Sequence, residues 1–214
     1  DGGRFFSPDK AVARAEQLIE AGADILDIGG ESTRPGADPV SENDEIARVI
    51  PVIEALSGKD VILSIDTQKA AVARRAVEAG AHIINDIASL ADPEMAKVAA
   101  ESEAALVLMH MQGTPKTMQV ETHYDDLLPE IKTFFQERIK AAVSVGIKRS
   151  NIIIDPGIGF GKNHNDNLCL LNNLKFLDNL NQPVLVGVSR KSFIGRILDV
   201  PPEERLEGTI ASAL

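Results

Sequence analysis

The sequence predicts an α/β fold wound as a (β/α)8 TIM barrel. Six short apolar segments are each followed by a segment with a helical pattern, and alternating βα units form parallel sheets with right-handed crossovers. Polar residues stand at or just after the ends of these segments: Thr33, Arg34, Asp66, Asn85, His110, Asp155 and Lys191. A barrel gathers strand ends into one mouth, whereas an open doubly wound sheet focuses only those near its switch point. The barrel is therefore favoured over the open sheet.

The predicted helices are bounded by recognisable caps. Ser7 precedes the first helix, 8–21, with Pro8 at its first position and Gly22 after its end. Ser41 caps the second helix. That second helix is predicted at 42–57, and the later helices are predicted at 69–79, 93–101, 124–145, 165–179, 192–198 and from 203 onward.

The predicted strands are apolar on both faces, as strands covered on both sides must be. They span 24–28, 61–65, 82–84, 105–109, 151–154 and 184–188. No linker or shift in composition divides the 214 residues, so we expect a single domain over 1–214.

Composition excludes several classes of function. The formal net charge of −10 argues against broad binding to a nucleic-acid backbone, which needs a basic face. No apolar run approaches the roughly 20 residues of a membrane span. The single Cys169 suits a reducing compartment, and we expect a cytoplasmic protein.

Two acids and an amide at strand ends suggest a ligand with donor edges. Asp66, Asn85 and Asp155 could hold the amino and N–H groups of a flat heterocycle, because carboxylates accept hydrogen bonds and an amide both donates and accepts. Asp66 could equally be a helix cap and Asn85 a turn residue. A general acid/base pair and metal ligation remain open at this point.

Two cationic loops could bind anions. Arg34 follows Thr33 and precedes Pro35 and a glycine, and an arginine offers a bidentate fork to phosphate or carboxylate. Lys191 stands at the start of a predicted helix, whose N-terminus also favours anions. Each could instead be a solvated surface charge.

The stretch 155–162, DPGIGFGK, is rich in glycine but has neither the P-loop nor the dinucleotide-binding spacing. His110 is expected to be structural, because the four histidines show no ligand spacing. No serine lies in a nucleophile-elbow motif, so covalent hydrolysis has little support.

Several segments together resemble dihydropteroate synthase, in the right order and over the whole chain. They are 27–36 (DIGGESTRPG), 64–67 (SIDT), 84–86 (IND), 155–162 (DPGIGFGK) and 189–193 (SRKSF). The first and the last two are specific, whereas the other two are shared with wider pterin-binding relatives.

The resemblance implies a transferase of folate biosynthesis. Such an enzyme condenses 6-hydroxymethyl-7,8-dihydropterin diphosphate with 4-aminobenzoate, uses Mg²⁺ with the diphosphate, is usually a homodimer and is the target of sulfonamides. It also implies that this chain lacks the first and last strands of the barrel, including the asparagine that contacts the metal, which in the family lies before residue 1, and an arginine–histidine pair that binds diphosphate.

The resemblance also assigns roles. The pterin pocket falls on Asp66, Asn85, Asp155 and Lys191, with Asp66, Asp155 and Lys191 as the catalytic residues. The diphosphate contacts fall on Thr33 and Arg34. The aminobenzoate region falls on Thr33, Pro35, Phe160, Lys191 and Ser192, and Gly187 is expected to line the substrate site.

Two other functions remain open on the sequence. The pterin-binding domain of a corrinoid methyltransferase would share the barrel, the acids and the amide, but the loops around Arg34 and Lys191 favour the synthase. A non-catalytic pterin or folate carrier would bind without turnover.

Overall fold

The computed structural model describes residues 5, 7–33, 37–118 and 122–214. Its strands are β1 (Ile25–Gly29), β2 (Ile62–Asp66), β3 (Ile83–Asp86), β4 (Ala105–Met109) and β5 (Ile152–Asp155). Its helices are α1 (Pro8–Glu20), α2 (Glu42–Leu56), α3 (Ala70–Glu78), α4 (Pro93–Ser102), α5 (Leu127–Ser144), α6 (His164–Asn172), α7 (Ser192–Leu198) and α8 (Leu206–Ala213).

All five strands are parallel and lie in the order β1-β2-β3-β4-β5. A doubly wound sheet reverses its strand order at a switch point, whereas successive strands of a barrel always lie beside the preceding one. Neighbouring helices α1 to α4 also pack side by side in chain order. The predicted barrel winding is confirmed.

The main apolar core lies between the sheet and the helices. It joins fully buried residues of the helices, such as Ile53, Val72 and Phe135, to strand residues such as Ile65 and Leu106. Ala, Val, Ile and Leu dominate this core. Among the residues that the structure describes, no helix combines the length and the apolar composition needed to cross a bilayer.

The predicted caps form. The hydroxyl of Ser7 accepts a hydrogen bond from Lys10 N, and that of Ser41 accepts one from Asp44 N. The predicted helix 165–179 is wrong in extent: α6 ends at Asn172 and a 3-10 helix, Leu174–Leu180, follows. The side chain of Asn173 donates to Cys169 O, so it satisfies a terminal carbonyl and ends the α-helix.

The sixth predicted strand, 184–188, is reduced to a single parallel bridge between Ile154 and Val184. Ile154 N donates to Pro183 O and Leu185 N donates to Ile154 O. In this register Pro156 would stand opposite Val186, and proline has no N–H for the ladder. The chain therefore lies in the sixth position without forming a longer strand.

Candidate active site

The register of the sheet brings the strand-end residues together. Asp66 at the end of β2 pairs with Asn85 in β3, and Met109 at the end of β4 pairs with Asp155 at the end of β5. Because all five strands are parallel, these carboxyl ends share one edge. The predicted acids and amide therefore lie at the same edge of the sheet.

Asp66 carries an unsatisfied acceptor. Its side chain is half-buried, and the buried Oδ1 has no hydrogen-bond partner among the described residues. Burial raises the pKa of Asp66 well above its ordinary value, and the neighbouring carboxylate of Asp27 raises it further. A ligand that donates an N–H or brings positive charge here would relieve both costs.

Asp27 links β1 to the two neighbouring positions Ser64 in β2 and Asn85 in β3. It lies in β1 opposite Ser64, and its two oxygens accept hydrogen bonds from Ser64 Oγ at 2.6 Å and from Asn85 Nδ2 at 3.0 Å. With Nδ2 donating to Asp27, the Oδ1 of Asn85 can accept from a ligand. Asp27 was not among the predicted site residues, although a carboxylate inside an apolar strand was a visible signal.

Asp155 is buried, at 7% exposure, and its Oδ1 accepts a hydrogen bond from Gly157 N at 2.7 Å. Burial raises the pKa of Asp155 above its ordinary value, whereas the Gly157 N–H, Lys191 and Lys162 all favour the charged form. These three groups therefore offset part of the cost that burial places on ionising this carboxyl.

Lys191 lies between Asp155 and the glycine-rich loop. Its ammonium donates to Ile158 O and stands 4.6 Å from the centroid of the Phe160 ring. Burial lowers the pKa of Lys191, and Asp155 opposes this shift. A Cβ at Gly187 would lie 3.5 Å from the Lys191 ammonium, so glycine leaves space beside it.

An ion-pair cluster holds the loop after β1. Lys69 pairs with both Glu31 and the buried Glu45, and Glu31 also accepts from Val40 N. Thr33 lines a small cavity shared with Asp66 and Lys69. The cluster therefore fixes the base of the loop that carries Thr33, and sequence reasoning missed it because its members are far apart in the chain.

Three further predicted site residues are Ser192, Arg34 and Pro35. Ser192 is exposed at the first position of α7, and Lys191 is the residue before it. Arg34 and Pro35 lie outside the described residues. Within 5, 7–33, 37–118 and 122–214, no three histidine, cysteine or carboxylate side chains converge on a point where they could hold a metal ion.

A comparison with known protein families matches the whole sequence. The sequence model of the family described as "Pterin binding enzyme" matches residues 1–214. The chain therefore belongs to the pterin-binding enzyme family.

Two of its relatives indicate which kind of pterin-binding enzyme this chain resembles. The chain is 52% identical over 214 residues to a dihydropteroate synthase of Bacillus subtilis (strain 168), a match that covers 99% of this chain and 73% of that protein. It is 49% identical over 215 residues to the Escherichia coli (strain K12) dihydropteroate synthase, covering 100% of this chain and 76% of that protein. Within the family, the chain groups with the dihydropteroate synthases, which are transferases.

Solved structures agree. A Yersinia pestis dihydropteroate synthase in a sulfonamide drug complex superposes with a TM-score of 0.97 at 50% identity, covering 100% of this chain and 78% of that one. A Xanthomonas albilineans dihydropteroate synthase with 4-aminobenzoic acid gives a TM-score of 0.92 at 46% identity, covering 100% of this chain and 77% of that one. These structures share the barrel fold.

Proposed function

We propose that this chain condenses 6-hydroxymethyl-7,8-dihydropterin diphosphate with 4-aminobenzoate to give 7,8-dihydropteroate and diphosphate. The observation that carries the proposal is the buried, unpartnered Oδ1 of Asp66 beside Asn85 and on the same edge as Asp155. Acceptors without partners are costly unless a ligand supplies donors. The N–H and amino groups of a pterin ring supply them.

The pterin ring is held by Asp66, Asn85 and Asp155, with Lys191 at its edge. Asp27 fixes the amide of Asn85, because it accepts from Nδ2. A charged pterin intermediate would favour the ionised form of both acids, whose pKa values burial has raised. The binding site is thus complementary to positive charge that develops during reaction, which is where electrostatic catalysis acts.

The chemistry needs no protein nucleophile. The bond between the pterin methylene carbon and the diphosphate oxygen breaks, and its electron pair leaves with the diphosphate. The resulting pterin-methylene cation is stabilised by Asp66 and Asp155. The lone pair on the aminobenzoate nitrogen then forms the new C–N bond, and the arylammonium proton passes to water.

We assign the second substrate to the surroundings of Lys191 and the leaving diphosphate to the loop after β1. Its ammonium stands against the face of Phe160, which forms a wall for the aminobenzoate ring, and Gly187 leaves room beside it. We assign aminobenzoate contacts also to Thr33, Pro35 and Ser192. Thr33 and Arg34 are assigned to the diphosphate, because a threonine hydroxyl and a guanidinium both donate to phosphate oxygens.

Mg²⁺ is proposed to enter with the diphosphate of the substrate. The described residues do not fit a resident site, since no three ligand side chains converge and the oxygens of Asp27 already accept from Ser64 and Asn85. Magnesium is often bound mainly through substrate phosphates.

Chelation distinguishes Mg²⁺ that enters with the substrate from a metal ion that resides in the protein. Removing Mg²⁺ with EDTA is expected to lower the turnover rate by at least about tenfold, because the leaving diphosphate loses its counterion. The thermal unfolding temperature without substrate is expected to stay the same. Differential scanning fluorimetry with and without EDTA measures this, and a clear fall in unfolding temperature would reveal a resident structural metal.

Asp27→Ala tests how the amide is oriented. Removing both acceptors is expected to weaken binding of the pterin diphosphate about tenfold, in line with the loss of one to two hydrogen bonds. Ser64→Ala is the matched control, because it removes a contact to Asp27 without touching Asn85, and it is expected to change affinity less. Titration calorimetry gives both constants, and equal affinities for Asp27→Ala and the unsubstituted protein would refute the assignment.

The domain extent, the assembly and the cellular compartment are proposed from the sequence and the family resemblance. We propose that residues 1–214 act as one pterin-binding unit, in a cytoplasmic homodimer. Sedimentation velocity at micromolar concentration tests the assembly, and a single monomeric species would contradict it.

A coupled assay for diphosphate release by the full-length protein tests the activity. Release that depends on 4-aminobenzoate, with dihydropteroate formed in equal amount, is the expected result. Binding of the pterin diphosphate without any release would instead identify a carrier. In calorimetry, aminobenzoate should bind only after diphosphate or the pterin substrate is present.

A further inference from the structure

Lys162 is the most deeply buried lysine of the described chain, at 2% exposure. Its ammonium has four acceptors within 3.1 Å: His110 Nδ1 at 3.0 Å, His110 O at 3.1 Å, Gly157 O at 3.0 Å and Phe160 O at 2.9 Å. Three of the four are backbone carbonyls. A lysine ammonium has three donors and no acceptor, so this cage uses it fully.

The cage joins two separate segments. His110 follows β4, whereas Gly157 and Phe160 belong to the glycine-rich loop after β5. The pKa of Lys162 is lowered to about 7, first by burial, and that of His110 to about 3, also by burial and then by Lys162. His110 is therefore neutral and can accept through Nδ1. Burying a lysine amine among four acceptors costs desolvation free energy, which is a reason to look for its use.

The loop held by this cage reaches the substrate side. Its Ile158 carbonyl accepts from Lys191, and its Phe160 ring lies 4.6 Å from the same ammonium. The loop is also anchored by the buried Asn167, whose Oδ1 accepts from Gly159 N at 2.6 Å. Lys162 and Asn167 therefore both set where Phe160 and Lys191 stand.

We propose that Lys162 is a positioning residue that acts through the glycine-rich loop on the binding of the second substrate. It does not touch substrate itself, because its donors are taken by the cage. The inference rests on the proposed function, in which Phe160 and Lys191 form the aminobenzoate site. Asp66, Asn85 and Asp27 belong to other strands and do not depend on this loop, whereas Asp155 and Lys191, which also bind the pterin, are in contact with it.

The test compares the KM for 4-aminobenzoate with the Kd for pterin diphosphate in the full-length protein, because the proposal predicts that only the first changes strongly. Lys162→Met keeps the aliphatic stem and removes the charge, and it is expected to raise KM for 4-aminobenzoate at least about tenfold. The Kd for pterin diphosphate, measured alone by calorimetry, is expected to rise by a smaller factor, less than about threefold, because Asp66 and Asn85 still hold the ring even where Asp155 and Lys191 are disturbed. Lys175→Met, at an exposed lysine in the 3-10 helix Leu174–Leu180, is the control and should change neither constant.

Asn167→Ala covers the case in which Lys162→Met fails to fold. This variant removes the bond from Gly159 N to Asn167 Oδ1 and so loosens the same loop. We expect a smaller rise in KM for 4-aminobenzoate than in Lys162→Met, again with little change in the Kd for pterin diphosphate. Equal losses in both constants, or a lower unfolding temperature with both constants unchanged, would overturn the inference. Absence of turnover in the unsubstituted protein would instead reject the proposed function, so the two failures are distinguishable.

Discussion

Asp66→Asn is expected to lower kcat/KM for the pterin diphosphate by about 10²- to 10³-fold, the range typical of losing one preorganised electrostatic contact to a charged transition state. Asparagine has nearly the same shape as aspartate and keeps one acceptor oxygen. It removes the negative charge that faces the pterin-methylene cation. Steady-state kinetics at saturating aminobenzoate measure the effect.

The pH dependence supplies a second readout. The pKa of Asp66 is raised by burial and by Asp27, and the ionised form is the one that stabilises the cation. kcat/KM of the unsubstituted protein should therefore fall as pH is lowered through this raised pKa, at a higher pH than for an ordinary carboxyl. An Asp66→Asn protein with unchanged kcat/KM would contradict the electrostatic role.

Gly157→Ala is expected to reduce the free energy of unfolding by about 3 kcal/mol or more, because it combines two costs. Gly157 has φ of +67°, where residues with a side chain are strained. Its added Cβ would also lie 2.0 Å from the backbone oxygen of His110, so β4 or the loop must move. Urea denaturation followed by circular dichroism measures the loss.

Gly58→Ala is the matched control. Gly58 also has a positive φ, +87°, but an added Cβ there meets no atom within 4 Å. It should lose about 1 kcal/mol from backbone strain alone. If the two variants lose the same free energy of unfolding, the close packing of the loop against His110 is not what makes Gly157 necessary.

The sequence identified those features that depend on local pattern. Asp66 and Asp155 could be predicted as strand-end acids because each follows a short, mostly apolar segment, and Ser7 and Ser41 could be predicted as caps because capping is local. The parallel sheet followed from the βα alternation, and the barrel winding followed from the polar residues at the ends of successive strands. Each of these required no knowledge of which strands pair in which register.

Features that depend on register or on distant contacts could not be predicted. The contact from Asp27 to Asn85 spans 58 positions and two strands. Lys162 would ordinarily be assigned to the surface, since lysine is rarely buried, and its cage forms only where the loop meets His110 after β4. The sixth strand was overestimated because its pairing depends on Pro156 in the neighbouring segment.

A crystal structure of the protein with 6-hydroxymethylpterin diphosphate tests the central claim most directly. The account predicts that a pterin N–H donates to the Oδ1 of Asp66, that Asn85 and Asp155 bond the same ring, and that the diphosphate lies on the side of Thr33. A pterin bound away from this strand edge, with the Oδ1 of Asp66 still unpartnered, would contradict it.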